Sequence, residues 1–164
     1  MKSMIIASLA LALMSAAPAM AQHKKIAMTA PSAVALTTDP GDLVTTIEFQ
    51  VKAEGEEVKV FSKGIIPWVN LEKADLDLKK LLNGAEVVLP YSKVTVITTL
   101  PQTTSFVIKS TTDAGFSRTA LIKALSDKMT LLPNARPEAA LNLSTADVYE
   151  NEAGQITLKL DVAS

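Results

Sequence analysis

Residues 85–110 read AEVVLPYSKVTVITTLPQTTSFVIKS, and their pattern decides the fold class. Three runs, 85–89, 93–100 and 105–110, are dominated by β-branched and apolar residues and separated by Pro90-Tyr91 and Pro101-Gln102. Branched side chains pack well on a pleated surface, and proline cannot donate to a strand ladder, so runs bounded in this way read as strands with turns between them. The stretch predicts a three-strand meander.

On its N-terminal side the period changes. Leu71, Ala74, Leu78, Leu81 and Leu82 recur at helical spacing, which predicts a helix over 71–83. Asn70 is placed to cap it, Gly84 to end it in a left-handed conformation, and Asp75 and Lys79 to pair on its surface. Leu76 falls off the apolar stripe. Further upstream Ile47, Phe49 and Val51 alternate with Glu48, Gln50 and Lys52, the period of a half-buried strand over 44–52. Residues 53–57 read as a hairpin turn and 58–62 as the returning strand, ended by Gly64 and Pro67.

On the C-terminal side Ser117 suits a helix N-cap, with Phe116 before it and Leu121 after it as a hydrophobic staple. Leu121, Leu125 and Met129 then line a buried face. Pro133 and Pro137 bracket a loop. Residues 146–150 and 155–162, joined by a turn at 151–154, predict a closing hairpin in which Ile156, Leu158, Leu160 and Val162 alternate. Six or seven strands in hairpin order with two helices predict an α+β fold, a mostly antiparallel sheet with both helices packed on one face. A small β-sandwich or barrel with peripheral helices is the alternative.

The first 21 residues have the layout of a secretory signal peptide. Lys2 supplies the positive start, residues 4–15 an apolar run, Pro18 a break, and Ala19-Met20-Ala21 a cleavage site before Gln22. The apolar run is too short to cross a bilayer, which takes roughly 20 residues. The expected location is therefore the periplasm or the exterior. Residues 22–42, rich in small and turn residues, read as a mobile leader or edge segment, and 43–164 as one domain. Cysteine is absent, which excludes disulfides, thiolate metal sites and a thiol nucleophile. With 16 basic and 17 acidic residues in the whole chain, losing Lys2 with the signal peptide leaves a formal charge of −2. No basic block suits nucleic acid, and no later segment is apolar for long enough to span a membrane.

The residues offer little catalytic machinery. The only histidine, His23, lies two positions into the expected mature chain, poorly placed to be held as a general base. Cleavage one residue earlier would create Ala21-Gln22-His23, a set suited to copper(II) or nickel(II), but Met20 is a poor residue at a cleavage position, and no metal or cofactor is expected. Asp75 and Asp77 would point about 200° apart on a helix and read as a solvated face. Glu54, Glu56 and Glu57 crowd one turn, and Glu150, Asn151 and Glu152 another. Calcium takes six or more oxygens in a defined cage, which turns this short do not build, so both read as plain charged hairpins. Ser126-Asp127-Lys128 and Ser62-Lys63-Gly64 hold the residue types of a serine–lysine dyad without a strained nucleophile elbow. The match of Asn142-Leu143-Ser144 to a glycosylation acceptor reads as accidental behind a bacterial-type signal peptide.

One stretch stands apart. Gly64-Ile65-Ile66-Pro67-Trp68-Val69 is apolar where a polar loop is usual between a strand and a helix, and it holds the only tryptophan. Ile65, Ile66, Trp68 and Val69, with Leu76 nearby, are the candidate surface for a protein partner or a small apolar ligand. The same composition also suits a loop that folds back so that Trp68 plugs one end of the core. The expectation is a non-catalytic periplasmic binding or accessory protein. The alternatives are an inhibitor or immunity-type protein presenting residues 64–69 or 132–137 to an enzyme, and a hydrolase with serine–lysine or carboxylate chemistry.

Overall fold

A computed structural model describes residues 39–100, 103–132 and 140–163. The expected signal peptide, most of the expected leader, His23 and residues 133–139 lie outside the described residues. The fold is mixed α+β and mostly sheet, and its main sheet is open rather than a closed barrel.

The sheet is built around the closing hairpin. Strands β9 (Asn142–Glu150) and β10 (Ile156–Ala163) pair antiparallel in the expected place. Asn151 makes their turn: its side-chain oxygen accepts the N–H groups of Ala153 and Gln155 at 3.0 and 2.9 Å. On the far side of β10 lie β6 (Lys93–Thr98) and β7 (Thr104–Lys109), which form the expected antiparallel hairpin. The contact between β10 and β6 is parallel, with Leu158 opposite Val96. A parallel pair needs a long crossover, and here that connection contains the main helix. The sheet order is therefore β1-β9-β10-β6-β7, where β1 spans Asp42–Glu48.

The alternation over 44–52 holds while its expected pairing does not. Ile47, Phe49 and Val51 are buried, and Glu48 and Lys52 point out. Yet β1 pairs with β9, Ile47 opposite Ala146, and the chain then leaves the main sheet. Phe49 N–H donates to the Ser144 carbonyl at 2.9 Å, after which β2 (Val51–Lys52) pairs with β3 (Ile65–Ile66). The vacated edge of β9 is taken by β4 (Val69–Asn70). No strand forms over 58–62. Glu57–Val60 is instead a single helical turn, α1, because the Glu57 carboxylate accepts the Glu54 N–H at 3.0 Å and folds the chain back on itself. An alternating pattern in which Val58 and Val60 both end up exposed lacked the burial that would have held it as a strand.

The meander is corrected too. β5 (Val87–Leu89) does not join β6, but pairs with β8 (Phe116–Ser117) in a small separate sheet. Of the two expected helices, the one after Ser117 is present as α3 (Arg118–Met129). The Ser117 hydroxyl accepts the Ala120 N–H at 3.2 Å, and the Thr119 and Arg118 N–H groups donate to the carbonyls of Gly84 and Glu86, both at 2.9 Å. Three of the N–H groups that a helix start leaves unpaired are thereby satisfied. Leu121, Ile122, Leu125 and Met129 are buried in one core with Val94, Val96, Leu143, Leu158 and Leu160 of the sheet.

The other helix is cut short. Asn70 caps as expected, accepting from the Glu72 and Lys73 N–H groups, but only a 3-10 turn, Leu71–Lys73, and one helical turn, α2 (Ala74–Asp77), follow. The physical reason is competition for backbone groups. The Lys80 carbonyl accepts the Lys52 N–H, and the Leu82 N–H donates to the Gln50 carbonyl, so 80–82 runs beside β2 instead of continuing the helix. The left-handed residue is Asn83, with φ of 54°, rather than Gly84. Gly84 serves a different need, since a Cβ there would lie 2.6 Å from the Thr119 hydroxyl.

Candidate functional site

The excursion between β2 and β3 carries the candidate surface. Its ends are joined where the Ala53 N–H donates to the Gly64 carbonyl at 3.0 Å, extending the β2–β3 ladder. Inside it, the Phe61 N–H donates to the Glu57 carbonyl and the Gly64 N–H to the Phe61 carbonyl, both at 2.8 Å. The Glu57 carboxylate also takes the Lys80 ammonium at 3.1 Å, tying the excursion to the segment beside β2. The Glu54 N–H, and after it Lys80, hold the Glu57 carboxyl below the ordinary carboxylate value, against a smaller opposing effect of desolvation. Glu56 pairs with Lys59 on the outside. The carboxylates of Glu56 and Glu57 thus stabilise the loop itself.

Phe61 and Trp68 meet edge to face across the excursion, with ring centroids 5.3 Å apart and planes at 78°. Both rings are half-buried, with one side packed on the core. Val60, at 76 % exposure, and Ile65, at 37 %, face solvent on the same excursion. The five sequence-derived candidates therefore separate. Trp68 and Ile65 offer side-chain surface, while Ile66 and Val69 are buried in β3 and β4 as part of the core. Leu76 is 59 % exposed on α2 and lines a different cavity of about 170 Å³ together with Lys73, Lys123 and Asp127. Trp68 is not among the residues lining that cavity or four others of about 390–440 Å³.

The sequence alternation places Val58 and Val60 on a strand; in the structure both are exposed on the excursion and Phe61 is half-buried. The Ser126 hydroxyl, a candidate nucleophile in the sequence, donates to the Leu71 carbonyl at 2.7 Å and ties α3 to the 3-10 turn. The hydroxyl of Ser62 lies on the exposed excursion. Asn142 of the possible glycosylation acceptor sits in β9, backbone-paired on both sides with Asn70 and Ala163. Asp77 accepts the Asn70 N–H at 2.8 Å, and Asp75 is exposed. Among the described residues no group of three or more histidine and carboxylate side chains is arranged to hold a metal ion. No helix of the described residues is long and apolar enough to cross a membrane. No protein-family model, no curated protein and no solved structure matches the chain.

Proposed function

We propose that the chain is an exported, non-catalytic binding or accessory protein that engages a partner protein through the apolar surface around Trp68. The observation carrying this reading is the edge-to-face pairing of half-buried Trp68 with Phe61 of the excursion, where Val60 and, at the start of β3, Ile65 are exposed. Aromatic and aliphatic side chains grouped at the surface lose unfavourable hydration when a partner covers them, and a half-buried tryptophan is a frequent anchor. The closure between Ala53 and Gly64 and the Glu57–Lys80 pair hold the excursion in place, so little ordering entropy opposes association. If the partner is an extracytoplasmic enzyme, the same surface serves an inhibitor.

The test uses a photo-crosslinking residue at position 60 in protein made with its own leader. Capture is compared in Trp68→Ala and Lys59→Ala backgrounds alongside thermal melting. A specific crosslinked species that disappears only in Trp68→Ala, with melting lowered by no more than a few degrees, supports the reading. A collapse of melting temperature in Trp68→Ala, with no specific species in the parent, shows that Trp68 is there to close the core.

A further inference from the structure

A second surface, remote in sequence from Trp68, has the chemistry of a ligand site. β7 is an edge strand of the main sheet, and α3 packs beside it on the core side. Between them runs a groove of about 440 Å³, within the range of small-ligand sites, roughly 300–1,000 Å³. Its apolar part comes from Ile108 of β7, Phe116, and Ala120 and Ala124 of α3. The two alanines stand one turn apart on one helix face, and their short side chains leave the space that longer ones would fill. Ile108 and Phe116 are buried core residues, so an apolar group lying here would extend the core outward.

The rim has one dominant sign. Lys109, Lys123 and Lys128 line it against a single carboxylate, Asp127. None of the three lysines is in an ion pair among the described residues. In a chain with a small net negative charge, three lysines among the lining residues of one apolar groove, against one carboxylate, bias its local field positive. Lysine stems can lie along apolar surface while their heads reach for an anion.

We propose that the β7–α3 groove binds a small amphipathic carboxylate. Its alkyl chain lies over Ile108, Phe116, Ala120 and Ala124, and its head is held by the lysine rim. The charge pattern selects an anion over a cation of the same chain length, and the apolar floor selects a chain over a bare carboxylate. This site is independent of the Trp68 surface, and either assignment can fail without the other.

Titration of the 15N-labelled protein with decanoate, kept below its micelle concentration, tests the site, with decyltrimethylammonium and acetate as comparisons. Saturable decanoate binding is expected, with amide shifts centred on Ile108, Phe116, Ala120 and Ala124 and little change in Trp68 emission. Decyltrimethylammonium and acetate should each bind at least tenfold more weakly. Lys109→Gln with Lys123→Gln should weaken decanoate at least tenfold, and Ala124→Leu should block it by filling the groove; an unchanged amide spectrum elsewhere verifies that each variant is folded. Equal affinity for the two decyl compounds, shifts centred elsewhere, or no saturable binding would overturn the proposal.

Discussion

Glu57 shows how much one side chain decides. Its carboxylate accepts from the Glu54 backbone and from Lys80, and these donors favour its charged form. Because its pKa is lowered by folding, its contribution is fully present above the unfolded value and is lost as pH falls through the folded one. The melting temperature of the parent should therefore exceed that of Glu57→Gln at neutral pH, and the gap should close as the pH is lowered past the ordinary carboxylate range. A gap that persists unchanged in acid would mean that the pairing contributes nothing. The sequence shows three glutamates in a turn but not which one reaches Lys80, because that contact depends on where residues 80–82 are drawn. Asn83 and Gly84 teach a similar lesson. A left-handed residue was expected at this point, and glycine is the usual choice, but the close approach of Thr119 claims Gly84 for another reason and leaves Asn83 to turn the chain.

At the level of elements, α3 was legible and the helix over 71–83 was not, although both have good caps and apolar stripes. The difference lies in what competes for their backbones. Nothing competes along α3, whose first turn is satisfied by Ser117 and by the carbonyls of residues 84 and 86. Ser117→Ala should thus lower stability by about 1 kcal/mol, the ordinary value of a lost N-cap, measured by urea unfolding. Removal of the exposed Asp75 side chain should change stability by less than about 0.5 kcal/mol. The residues after Asp77 instead meet β2, whose N–H and carbonyl groups capture Lys80 and Leu82. Helix propensity is worth only tenths of a kilocalorie per residue, so two well-made backbone hydrogen bonds beside a buried strand outweigh it. Similarly, 58–62 carries strand-like alternation, but within its expected partner segment β2 pairs with β3 instead, and Val58 and Val60 are exposed, so no burial rewards a strand there.

For the whole molecule, β10 is the strand on which the sheet depends, since it joins the β1–β9 side to the β6–β7 side. Leu158, fully buried and paired with Val148 and Val96, lies at its middle. Leu158→Ala should cost about 3–4 kcal/mol in urea unfolding, and the amides of β10 should be among the slowest to exchange, since releasing them requires the sheet to open. An effect near that of an exposed leucine would show that the sheet's two halves are stable apart. From the sequence alone came the class of the fold, the inward faces of 44–52 and of β10, the closing hairpin, both N-caps and the apolar character of the Trp68 stretch. Each of these rests on spacing, capping or turn chemistry between near neighbours in the chain. Tertiary structure alone decided that β10 runs parallel to β6, that β5 leaves the meander for β8, that Ile66 and Val69 are core while Trp68 stays half-exposed, and that β7 and α3 enclose a lysine-rimmed groove. Those outcomes depend on which distant segments compete for the same backbone edge and the same buried volume, and a local pattern carries no term for that competition.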